Sequence, residues 1–110
     1  MSGYVPAAGD LVWLELNPQA GHEQAGHRPA IVLSRKEYNR KTGLAVFCPI
    51  TSKIKGYPFE VLVAGQKISG AVLADQVKSF DWKVRKAKFI ERADSHVFEE
   101  VVGKLYAIIG

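Results

Sequence analysis

Apolar residues fall in short runs separated by polar loops along most of this chain, and the pattern changes only near its end. Asp10–Leu16 is mostly apolar and β-prone, which predicts a first strand. Pro29–Ser34 contains the unbroken apolar run Ala30–Leu33, the pattern of a strand buried on both faces. Leu44–Ile50 predicts a third strand, and Pro49, which lacks an N–H, places its end at a sheet edge. Pro58–Val63 and Ala71–Ala74 predict two more, with Gly65–Gly70 turning between them. Arg35–Lys41 predicts one short helical turn, closed by the turn residues Asn39–Gly43. Asp75–Trp82 shows no clear period and is assigned a short helix, and Lys86–Glu91 alternates weakly as a strand. From Asp94 onward, Val97, Phe98, Val101, Val102, Leu105, Ile108 and Ile109 form a helical stripe, with Asp94 or Ser95 as N-cap. Gly103 lies between stripe positions and weakens that helix by about 1 kcal/mol relative to alanine. Many short strands and one terminal helix predict a mainly β domain over residues 1–110, a small SH3-like barrel.

Composition narrows the class. A chain of 110 residues, 47% hydrophobic and 24% charged, has the make-up of one globular domain rather than of a disordered segment. No apolar stretch approaches the length of a membrane span, and the first residues lack the basic and apolar regions of a signal peptide. The single cysteine, Cys48, cannot form an internal disulfide, so a cytoplasmic location is expected. It lies inside an apolar run and reads as an inert core residue.

Net charge is +4 and unevenly placed. No base precedes Arg28, whereas Lys78, Lys83, Arg85, Lys86, Lys88 and Arg92 crowd one segment against Asp81 and Glu91. A second basic excess lies between Arg35 and Lys55. Such clusters form either the footprint of a polyanion or an ordinary solvated face.

Several chemistries are missing from the sequence. His22, His27 and His96 have no zinc-ligand spacing, and neither a phosphate-cradling glycine loop nor a nucleophile elbow occurs. No cofactor or metal is expected. What stands out is Glu23, Arg28 and Thr51, each at a junction of loop and strand. Pro29 fixes its own φ and favours an extended Arg28, which presents its guanidinium fork rigidly. That fork suits a phosphate or carboxylate, and equally a strand-end ion pair. Antiparallel pairing of the second and third strands would set Arg28 beside Thr51. A carboxylate, an arginine and a hydroxyl suit RNA cleavage by the adjacent 2′-hydroxyl, in which the acid takes a proton and fixed donors stabilise the phosphorane.

Five spaced motifs now point one way. Tyr4-Val-Pro-x-x-Gly-Asp-Leu-x-Trp, Glu23-Gln-Ala-Gly-His-Arg-Pro-Ala-x-Val-Leu-Ser, Pro49-x-Thr-Ser, Lys55-Gly-Tyr-Pro-Phe-Glu-Val and Leu73-Ala-Asp-Gln-Val-Lys-Ser resemble the MazF/PemK toxins of bacterial toxin–antitoxin systems. The likeness spans Tyr4–Ser79, and Phe80–Gly110 matches only in character. It implies a homodimeric barrel that cuts single-stranded RNA at short sequences without metal. It also implies inhibition of translation and growth, held in check by a cognate antitoxin of the MazE kind with an acidic tail. By motif, Arg28 and Thr51 match the catalytic arginine and threonine, and Glu23 the assisting acid. Ser52, Lys55, Gln76 and Lys78 fall near the RNA groove, while His27 takes a structural role. Ser52 stands where a second threonine is common, and Lys53-Ile54 is more basic and apolar than expected. The competing class is a non-catalytic CcdB-like poison that binds DNA gyrase. The Arg28–Thr51 pair argues against it.

Overall fold

The strand richest in partners is not at an edge but at the centre. The computed structural model describes residues 3–15 and 26–110, arranged as β1 (Asp10–Glu15), β2 (His27–Val32), α1 (Lys36–Thr42), β3 (Leu44–Thr51), β4 (Glu60–Ala64), β5 (Ser69–Leu73), β6 (Lys78–Asp81), β7 (Lys88–Arg92) and α2 (Ser95–Ile109). The strands form one antiparallel sheet in the order β4-β5-β3-β2-β1-β7, with β6 added alongside β3. Leu16 and most of the long polar loop before His27, including Glu23, lie outside the described residues.

Pro49 therefore does not mark an edge. Along one side β3 pairs with β2, Ala30 facing Pro49 and Val32 facing Phe47. Along the other it is shared: β6 takes Leu44–Phe47 and β5 takes Ile50–Thr51. Val46 directs its N–H and carbonyl towards the β2 side, bonding Ser34 and Leu33. Strand alternation then aims the nitrogen of Pro49 at the opposite side, in the gap where β6 has ended and β5 has not begun. A missing donor costs nothing there. The expected helix over Asp75–Trp82 is likewise replaced by β6, because β3 offers that segment a free ladder from Leu44 to Phe47. The other strands match the expected order with ends shifted by one or two residues, β2 beginning at His27 rather than Pro29.

Both faces of the sheet are packed, which explains the continuous apolar runs. Leu11, Ile31, Cys48 and Val72 lie in one cluster with Val97 and Val101 of α2. Val12, Ala30, Val32, Phe47 and Trp82 form a second cluster on the other face. The sheet curls far enough for its ends to meet through a side chain. Glu91 on β7 accepts N–H bonds from Gln66, Lys67 and Ile68 in the β4–β5 turn, at 2.9–3.1 Å. The small barrel is thus closed by a carboxylate rather than by a ladder.

At α2, Asp94 takes the N-cap position, but its side chain makes no capping bond, and its carbonyl instead accepts from Val97 and Phe98. Only Val97 and Val101 of the predicted stripe are fully buried, while Val102, Ile108 and Ile109 stay exposed. No helix of the described residues is long and apolar enough to cross a membrane.

Candidate functional site

Arg28 is the second residue of β2, and its backbone is paired with Leu14 of β1. Strand alternation puts its side chain on the face that carries Ala30 and Val32. The β2–β3 register, continued two residues beyond its last bonded pair, sets Arg28 opposite Thr51, the last residue of β3. The start of one strand and the end of the next are thus brought together, as antiparallel pairing requires. Arg28 is exposed. Among the described residues the one salt bridge joins Arg92 to Asp10, so no carboxylate there draws Arg28 into a strand-end ion pair.

Two adjoining depressions hold these residues. One is lined by Arg28, Ala30, Phe47, Pro49, Gln76 and Lys78, and sits over the seam between β6 and β5. Its far wall carries Arg85, whose guanidinium lies 4.2 Å from the centre of the Phe80 ring and donates to the Glu15 carbonyl at 3.2 Å. The other is lined by Thr51, Lys53, Lys55, Tyr57, Asp75 and Gln76. Gln76 borders both, so together they form one groove.

Thr51 is half-buried, and its hydroxyl oxygen accepts the N–H of Lys53 at 3.1 Å. An oxygen used as acceptor keeps its own hydrogen available to donate. Lys55, Gln76 and Lys78 are exposed along the same groove, whereas Ser52 is exposed but lines neither depression. The acids nearby face other groups. Asp75 accepts from the Tyr57 hydroxyl, a bond that raises the phenol above its ordinary range, and Glu60 accepts from loop N–H groups. The groove thus presents arginine, lysine, amide and hydroxyl donors, a set suited to a phosphodiester backbone.

His27 is not part of this set, since its ring lies 4.4 Å from that of Trp13. Cys48 is fully buried, and burial, with Asp75 adding to it, pushes its thiol up to about 12, which leaves it inert. Among the described residues no three His, Cys, Asp or Glu side chains cluster as metal ligands. Sequence reasoning did not assign Arg85, Tyr57, Glu60 or Asp75 to the site. Three of them stand in the quoted motifs, but nothing local in the chain reveals what their side chains touch.

The family described as "PemK-like, MazF-like toxin of type II toxin-antitoxin system" matches residues 7–109. The endoribonuclease toxin MazF of Escherichia coli K12 is 46% identical over 110 residues, covering 100% of this chain and 99% of that protein. Among solved structures, MazF of Deinococcus radiodurans is 54% identical with a TM-score of 0.86, covering 97% of this chain and 98% of that one. A MazE–MazF complex from the same organism gives 47% identity and a TM-score of 0.88, with 97% of both chains covered.

Proposed function

The chain belongs to the PemK-like, MazF-like toxins of type II toxin–antitoxin systems, and we propose that it is an endoribonuclease cutting single-stranded RNA at short sequences. The observation that carries this reading is the meeting of Arg28 and Thr51 at one end of the sheet, on a groove that also holds Lys78 and Arg85.

The proposed reaction needs no metal. The 2′-oxygen attacks the adjacent phosphorus, Glu23 takes the proton released, and the bond to the 5′-oxygen of the next nucleotide breaks as that oxygen takes up a proton from solvent. The products are a 2′,3′-cyclic phosphate and a 5′-hydroxyl. The Arg28 guanidinium stabilises the phosphorane charge, and Thr51 donates its hydroxyl hydrogen to the same oxygens. Ser52, Lys55, Gln76 and Lys78 hold the strand on either side. The decisive test uses an RNA with one cleavage site, incubated with pure protein and chelator. Discrete fragments are expected. Replacing the nucleotide 5′ of the cut by its 2′-deoxy form should abolish them, and continued cutting would overturn the mechanism.

Cleavage of cellular messages would halt translation and growth in the cytoplasm, so an inhibitor must hold the enzyme. The proposed antitoxin carries an acidic tail that folds along the basic groove, gaining from apolar anchors as well as charge because ordering the tail opposes binding. RNA and such a tail should displace one another from an inactive Arg28 variant, and simultaneous binding would refute a shared groove. A homodimer is also proposed, supported by the exposed Val102, Tyr106, Ile108 and Ile109 at the end of α2. Light scattering that gives a single-chain particle at micromolar concentration would count against it.

A further inference from the structure

The loop from Ser52 to Pro58 is exposed throughout and belongs to no strand or helix, yet it borders Thr51. Three of its backbone N–H groups converge on one side chain. Oε1 of Glu60 accepts N–H bonds from Gly56 at 3.0 Å and Tyr57 at 3.2 Å, and Oε2 accepts from Lys55 at 3.0 Å. Successive backbone donors converging on one anion form a nest of the sort that elsewhere binds phosphate. Here the chain supplies the anion. Gly56, at φ +76°, provides the left-handed residue such a nest needs. The Glu60 N–H closes the turn on the Tyr57 carbonyl at 3.0 Å.

Two outer ties complete the frame. The Tyr57 hydroxyl donates to Asp75 at 2.5 Å, and Lys104 of α2 donates to the Pro58 carbonyl at 2.7 Å. The Tyr57 ring is backed by Phe59 at 5.9 Å, while the residue keeps 45% of its surface exposed. A fixed, exposed aromatic ring beside a cationic groove is a platform on which a base can stack.

We propose that Glu60 is a positioning residue for RNA: it holds the 52–58 loop so that Lys53, Lys55 and Tyr57 stand in a fixed arrangement beside Thr51. This rests on the endoribonuclease reading above. A loop already ordered in the free protein does not lose its conformational freedom again on binding. The role of Glu60 is thus to favour binding and base choice, not the chemical step. Its carboxylate touches backbone rather than substrate.

The test compares wild type, Glu60→Gln and Glu60→Ala in two measurements. Amide exchange of Lys55, Gly56 and Tyr57 in the free protein should speed up in Glu60→Ala, while amides of β3 remain protected. With a single-site RNA, KM should rise about ten- to hundredfold, as expected for losing hydrogen bonds to a charged acceptor, and kcat should change far less. The preference for the base beside the cut should broaden. Glu60→Gln keeps one accepting oxygen and should fall between. A loosened loop with unchanged KM and site preference would overturn the proposal, as would a fall in kcat alone. Should Glu60→Ala fail to fold, Tyr57→Phe removes only the tie to Asp75. It is expected to raise KM with the melting temperature unchanged, and wild-type KM there would overturn the proposal equally. If wild-type protein cuts no RNA, the endoribonuclease reading falls by itself, and the exchange measurement still decides whether Glu60 fixes the loop.

Discussion

The two ends of the β2–β3 pair are built from the same strands and treat polar groups in opposite ways. At the end where β2 finishes and β3 starts, Asn39 is fully buried with every group engaged. Its side-chain amide donates to the carbonyls of Pro6 at 2.8 Å and Ser34 at 3.0 Å, its side-chain oxygen accepts from the Ser34 hydroxyl, and its main-chain carbonyl accepts from the Trp82 indole at 2.9 Å. Close by in sequence to Pro6, Asp10 accepts from Tyr4, from the Ala7 N–H and from Arg92. At the other end, Arg28, Lys55, Gln76 and Lys78 face outward. Polar groups that hold a fold find partners inside it, because an unsatisfied buried group is costly. The groups of the proposed site instead face the open groove. A motif weights both ends alike, and only the contacts tell them apart.

The largest effect that would break this division is on rate. Arg28→Lys keeps the charge but loses the bidentate fork, and should slow RNA cleavage by about a hundred- to a thousandfold at an unchanged melting temperature. Thr51→Ala should act in the same direction. A wild-type rate in either would move the site elsewhere.

The mirror experiment is at the other end. Asn39→Ala should cost about 1–3 kcal/mol for each buried partner left unsatisfied, read as a lower urea midpoint. Protein that remains folded should cut RNA at the wild-type rate. Loss of rate without loss of stability would erase the contrast between the two ends.

A smaller effect concerns the carboxylate that closes the barrel. The Glu91 carboxyl is held below its ordinary range chiefly by the Lys67 N–H, helped by those of Gln66 and Ile68. Because the folded value is the lower one, the stabilisation is present above the unfolded pKa and is lost as pH falls through the folded value. Melting temperatures measured from neutral to acid pH should therefore drop less steeply in Glu91→Gln. An identical acid limb in both proteins would show that the closure bears no load. The smallest expected effect is none at all: iodoacetamide at mildly alkaline pH should leave Cys48 unmodified in folded protein. Rapid labelling would mean that the core opens.

Much of this was legible in the chain. The runs Ala30–Leu33 and Leu44–Ile50 gave two central strands, and antiparallel pairing alone placed Arg28 near Thr51. What escaped depends on partners distant in sequence. Pro49 looks like an edge signal until β3 is seen to change partners beside it. Lys78–Asp81 is too short and polar to announce a strand, and it becomes one because β3 has a free side. Glu91 reads as one more surface acid, although its three donors lie more than twenty residues earlier. Arg85 counts as one base among six, and only the turn after β6 carries it to the groove.

The pairing of β1 with β7 has a consequence for the timing of biosynthesis. β1 spans Asp10–Glu15, and the strand that covers its outer edge, Lys88–Arg92, is the last to be made. One wall of the groove, from Gln76 to Arg85, is also a late product. Domains emerge from the ribosome N-terminus first, and long-range pairings of this sort are slow to form. A nascent chain therefore carries Arg28, Thr51 and the 52–58 loop before it carries Gln76, Lys78 and Arg85, and the groove gains its second wall only once β6 and the turn after it have been made.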